Sequence, residues 1–142
     1  MSLDDLYRRV IMDHYQSPRN RGTIDAGAVT VDLNNPTCGD RISLQMRVED
    51  DIIKEAKFLG EGCSISLASA SMMTEAVKGL RVDEAVELSH TFSQMMQGEA
   101  IDFDVFPLED IEALQGVANF PARIKCATLA WKALEQVSKS NE

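Results

Sequence analysis

The stretch "ISLQMRVEDDIIKEAKFLGEGCSISLASASMM", Ile42 to Met73, holds the change of period that decides the fold. Ile42, Leu44, Met46 and Val48 alternate with polar residues, the pattern of a strand with one wet face. Glu49, Asp50 and Asp51 make a turn, and Ile52 to Gly60 reads as the returning strand. After Gly62 the alternation stops. Small, helix-compatible residues follow up to Gly79, a stop. An antiparallel hairpin therefore runs straight into a helix.

Outward from this stretch, Val29 to Leu33 reads as a further short strand. Residues 2–16 read as a helix, with Leu3, Leu6, Tyr7, Val10 and Ile11 on one stripe and Ser17-Pro18 ending it. On the C-terminal side, Val82 to Gly98 reads as a helix with Asp83 as its cap and Gly98 as its stop. Leu108 to Gly116 is a short helix. Pro121 to Ser140 is the last and strongest, with Pro121 in the first turn and Ile124, Ala127, Trp131 and Leu134 on one face. The order is helix, strands, then helices. It predicts an α+β fold: a small antiparallel three-stranded sheet with helices packed on one face, residues 1–142 forming a single domain.

Hydrophobic residues make up 44% and charged residues 26% of the 142, which suits a globular chain. No apolar run is long enough to span a bilayer, and the start lacks a secretory apolar region. A cytoplasmic protein is expected. The net charge of −9 is localised: Val82 to Ala122 contains nine acids and no Lys or Arg, while the other 14 acids balance the 14 Lys and Arg. Such a surface repels nucleic acid and anionic membranes, so neither is an expected partner. The segment reads as a solvated helical face or as a surface for a basic partner.

Three cysteines, an odd number, argue against a disulfide framework. Each falls at an element boundary rather than inside an apolar run. Cys38 lies in "NNPTCGDRIS" before the alternating strand, Cys63 at the strand-to-helix passage, and Cys126 in the first turns of the last helix. A helix N-terminus favours the thiolate at Cys63, and Arg123 and Lys125 favour it at Cys126. The glycines beside Cys38 and Cys63 let backbone approach a bound group closely. Three thiolates and the Asp40 carboxylate make four ligands, the number for tetrahedral zinc. The spacings are not CxxC pairs, and three separate buried cysteines fit them equally well.

Zinc held by four anions would leave the site doubly negative, so cations or N–H donors are expected beside it. Arg41, Arg123 and Lys125 are close in sequence, Arg123 being the first choice; ordinary solvation on a helix surface accounts for Arg123 and Lys125 as readily. His14 and His90 are not needed to complete four ligands. Met72, Met73, Met95, Met96 and Trp131 read as core. No Gly-rich phosphate loop and no Ser-His-Asp ordering stands out, so ATP-using or hydrolytic chemistry is not expected.

"NNPTCGDRISL", "GEGCSISLASASMM" and "RIKCATLAW", in that order, resemble the three cysteine motifs of the U-type iron–sulfur cluster assembly family, IscU, SufU and the NifU N-terminal domain. "LYRRVIMDHYQSPRNRG" resembles the family's opening helix. The resemblance implies a SufE/NifU-like fold and a metal site of Cys38, Asp40, Cys63 and Cys126. Lys125 stands where the IscU branch has a histidine, and extra residues fall within Ser93 to Asn119. Both features are similar to the SufU branch. That branch implies a zinc-dependent sulfur acceptor, a sulfurtransferase-like activity serving a SufS-like, PLP-dependent cysteine desulfurase. Cys126 would take the sulfur with Arg123 beside it, Asp40 would be the exchangeable ligand, and the sulfur would pass to a Suf-type scaffold or apo-proteins. The alternative is a scaffold on which iron and sulfide build a labile [2Fe–2S] cluster. A structural zinc domain that only binds partners is a third possibility.

Overall fold

The computed structural model describes residues 3–35, 39–99 and 110–140. Helix α1 (Leu3–Gln16) precedes strands β1 (Val29–Asn35), β2 (Asp40–Glu49) and β3 (Ile52–Glu61). Helices α2 (Ser64–Val77) and α3 (Val82–Met96), a 3-10 segment (Ile111–Asn119) and α4 (Pro121–Ser140) follow. The strands pair antiparallel in the order β1-β2-β3. This is the α+β arrangement read from the sequence. β1 runs two residues further than the reading, because Asn34 and Asn35 still pair with Arg41 and Asp40.

The alternation in β2 has the expected consequence. Ile42, Leu44 and Met46 are buried, together with Ile53, Ala56 and Phe58 of β3. They meet α2 and α4, which pack across the sheet. Arg41, Ser43, Gln45 and Arg47 occupy the alternate positions on the other face. The β2–β3 hairpin turns through Asp50 and Asp51, both at positive φ (53° and 63°).

Helix α2 is the centre of the molecule, touching α1, α4 and β3. Its small residues Ala68, Ser69, Ala70 and Ser71 are all buried and let neighbours approach closely. The serines are satisfied across elements. Ser69 Oγ donates to the Ala127 carbonyl (2.6 Å) and accepts from Trp131 Nε1 (3.1 Å). Ser71 Oγ accepts from the Arg19 N–H (2.8 Å) and bonds His14 Nδ1 (2.7 Å). Trp131 stacks on Phe92 of α3 with ring centroids 4.6 Å apart. Met72, Met73, Met95 and Met96 are buried, in line with their reading as core.

Two local expectations are corrected. The cap of α3 is Arg81, not Asp83. The bridge of Ile52 to Arg81 and the bond from Val82 N–H to Asp51 O (2.9 Å) fix where the chain enters the helix. Glu84 Oε1 then accepts the Arg81 N–H (3.0 Å), half of a capping box. The short helix before α4 is a 3-10 run. Its buried Ile111, Leu114 and Val117 recur every three residues, the period of that helix. The sequence-based stretch from Leu108 to Glu109 lies outside the described residues.

The described acids of the Val82–Ala122 segment support a solvated face. Asp83, Glu84, Glu87, Glu99 and Asp110 are exposed, and Glu112 accepts from Tyr7 Oη (3.0 Å). Among the described residues, no helix is long and apolar enough to cross a membrane.

Candidate metal centre

Three elements converge at one end of the sheet. Asp40 opens β2 opposite Asn35, Cys63 caps α2, and Cys126 sits in the second turn of α4. One carboxylate oxygen and the two sulfurs all lie within 4.8 Å of one another. Asp40 and Cys126 are fully buried, and Cys63 is half-buried. Residues separated by up to 86 positions in sequence thus form one cluster because α2 and α4 pack side by side.

The two oxygens of Asp40 differ. Oδ1 accepts the backbone N–H of Cys63 at 3.0 Å. Oδ2 is buried and, among the described residues, has no hydrogen-bond partner and no cation in an ion pair with it. An uncompensated buried carboxylate oxygen is costly. A metal ion bound through Oδ2 and the adjacent sulfurs would neutralise it, and thiolate with carboxylate suits zinc. The residues present therefore fit such an ion.

Gly62 makes the approach possible. Its φ is +151°, a conformation that side chains disfavour. A Cβ there would collide with Asp40 Oδ1 and lie 3.0 Å from Cγ and 3.1 Å from Cα. The glycine signal was present in "GEGC", but what Gly62 accommodates is the carboxylate, a contact no local pattern reveals.

Of the expected ligands, Asp40, Cys63 and Cys126 are brought together, and Cys38 lies outside the described residues. Arg123 is exposed on the first turn of α4, one turn before Cys126, with Lys125 also exposed. Neither makes an ion pair with a described residue. His14 is not at the site: it is buried between Ser71 and Asp110 (Nε2 to Oδ2, 2.7 Å). His90 is exposed on α3, with Nε2 3.7 Å from Glu135 Oε1.

Residues 6–135 match the family model described as the NifU-like N-terminal domain. The chain belongs to the NifU-like N-terminal domain family. Within it, the chain is 62% identical over 135 residues to the zinc-dependent sulfurtransferase SufU of Bacillus subtilis strain 168, covering 95% of this chain and 90% of that protein. It is 48% identical over 137 residues to the iron–sulfur cluster assembly scaffold protein IscU of Streptococcus pyogenes serotype M1, covering 96% and 85%. A crystal structure of a candidate SUF-system scaffold protein from the thermophile Fervidobacterium islandicum AW-1 superposes with a TM-score of 0.84 at 34% identity, covering 91% of this chain and 93% of that one.

Proposed function

We propose that this NifU-like domain works in iron–sulfur cluster assembly as a zinc-dependent acceptor of sulfane sulfur from a PLP-dependent cysteine desulfurase, SufS-like in type and cytoplasmic. The observation that carries this reading is Asp40. Its Oδ2 is buried and, among the described residues, unpartnered beside two thiols, which supports a cation held by one oxygen ligand among sulfurs. Cys38, two residues before Asp40, supplies the fourth ligand. The similarity to a SufU and the Lys125 that precedes Cys126 favour sulfur transfer over cluster building.

Bound to Asp40 and the cysteines, zinc would keep the thiols deprotonated at neutral pH. The remaining work falls to the chain's own residues. The Cys126 sulfur, as thiolate, attacks the terminal sulfur of the donor's persulfide. The donor's S–S bond breaks, a new S–S bond forms on Cys126, and the donor leaves as a thiolate. No oxidant or reductant is consumed. Arg123, one turn away and facing solvent, attracts the anionic persulfide. The Cys63 N–H holds the Asp40 carboxylate in place through Oδ1, leaving Oδ2 for the metal. A Suf-type scaffold or an apo-protein then receives the sulfur.

Metal analysis of protein purified without added metal tests the reading. Equimolar zinc in a colourless protein that accelerates the desulfurase supports sulfur transfer. Iron with labile sulfide overturns it in favour of a [2Fe–2S] scaffold; the Streptococcus pyogenes relative is named an iron–sulfur cluster assembly scaffold protein.

A further inference from the structure

Among the described residues, the large apolar side chains exposed are Met12, Tyr15, Leu59 and Phe120. A lone exposed apolar residue is ordinary and needs no function. Phe120 differs from the others. It is 63% exposed, against 37%, 39% and 42% for Met12, Tyr15 and Leu59. Pro121 and Ala122, which follow it, are exposed as well. Its backbone is pinned on both sides. The N–H donates to the Val117 carbonyl (2.9 Å), and the carbonyl accepts the Arg123 N–H (2.8 Å) in the first turn of α4. An aromatic ring on a fixed backbone loses little entropy when a partner covers it.

Its position names the partner. Phe120 immediately precedes α4, and Cys126 lies about 9 Å further along that helix at the standard rise. A stable protein–protein interface covers about 800 Å² on each side, a disc of about 16 Å radius. A protein that brings a persulfide to the Cys126 sulfur spans that distance, and the exposed Arg123 lies between the two residues. The charges say what the partner must carry. Val82 to Ala122 has no Lys or Arg, and Arg123 and Lys125 are the first cations after it. Both are exposed, and neither makes an ion pair with a described residue. An apolar ring beside two such cations fits an apolar pocket edged by acidic groups.

We propose that Phe120 is the apolar anchor on which the sulfur donor docks, its ring entering a pocket of the desulfurase while Arg123 and Lys125 meet acidic groups on that pocket's rim. Buried aromatic anchors carry much of the affinity of an interface, and the charges around them steer and orient the encounter. Docking and sulfur delivery then use the same end of α4. The inference rests on the sulfur-transfer reading above.

The test is the affinity of a purified PLP-dependent cysteine desulfurase for zinc-loaded wild type and variants, measured by titration calorimetry. Phe120→Ala is expected to weaken binding about thirtyfold or more, the loss that marks an interface hot spot. Phe120→Leu, which keeps apolar bulk, should weaken it less. Lys125→Glu should weaken it by repelling the acidic rim. Zinc content and melting temperature should stay at wild-type values in all three, because both side chains are exposed. Phe120→Ala bound as tightly as wild type overturns the inference alone. So does weak binding matched by a loss of zinc or of thermal stability, and unchanged binding of Lys125→Glu overturns the acidic rim. Weakening by Leu59→Ala with none by Phe120→Ala also overturns it, placing the desulfurase on the outer face of the sheet. A zinc-loaded wild-type chain that binds no desulfurase overturns the sulfur-transfer reading and the inference together.

Discussion

Replacing Gly62 by alanine probes the join between fold and site. At φ +151° any side chain is strained, at a cost of about 1–3 kcal/mol. The new Cβ would also collide with Asp40, whose Cγ lies 3.0 Å and Cα 3.1 Å from the ideal position. Asp40 is fully buried at the start of a paired strand and has no room to retreat, so the carboxylate must turn. Turning it breaks the 3.0 Å bond from the Cys63 N–H, a bond to a charged group contributing about 1.5–3 kcal/mol. The sum is about 2.5–6 kcal/mol, a large fraction of a small domain's stability. Gly79→Ala is the control. Its φ is +82°, but a Cβ there meets nothing within 4 Å, so only backbone strain of about 1–2 kcal/mol is expected. Urea denaturation of the zinc-free proteins measures both, since neither effect needs the metal. Equal losses for the two variants would refute the claim that Gly62 makes room for the Asp40 carboxylate.

Three further outcomes follow from the packing. Asp51→Gly should stabilise the protein by about 1 kcal/mol, read as a higher urea midpoint, because Asp51 sits at φ 63° in a two-residue hairpin turn that favours glycine. Phe92→Ala should lose about 3–5 kcal/mol by emptying the place of a fully buried ring and should shift the fluorescence of the stacked Trp131. The hydrogen bond from Arg19 and its charge hold the Asp13 carboxyl below its ordinary pKa. That pairing is present at neutral pH and is lost as the pH falls through the lowered value. Arg19→Ala should therefore move the Asp13 titration upward in carboxyl NMR.

The fold was legible wherever burial follows a single period. β2 has one wet face, so its alternation could be read directly, and α4 keeps its apolar face at helical spacing. α2 was legible as a helix but not as the central one. Its buried serines look polar in sequence, and their partners, Ala127, Trp131, His14 and Arg19, come from α4, α1 and the loop after α1. The α3 cap was misplaced because a tertiary bridge to the hairpin, not the local preference of Asp83, fixes the helix start. At the candidate site the residue types and the resemblance gave the members. What the linear order could not show is that α2 and α4 set Cys63 and Cys126 beside Asp40. The division of labour between the two Asp40 oxygens depends on the same packing.

The central claim is that the sulfur taken up resides on Cys126 of the zinc-loaded protein. Incubating that protein with a cysteine desulfurase and cysteine, then alkylating and mapping persulfides by mass spectrometry, tests it most directly. The account predicts added sulfur on the peptide containing Cys126, lost in Cys126→Ser. Sulfur found on Cys63 or Cys38 but never on Cys126 would contradict it.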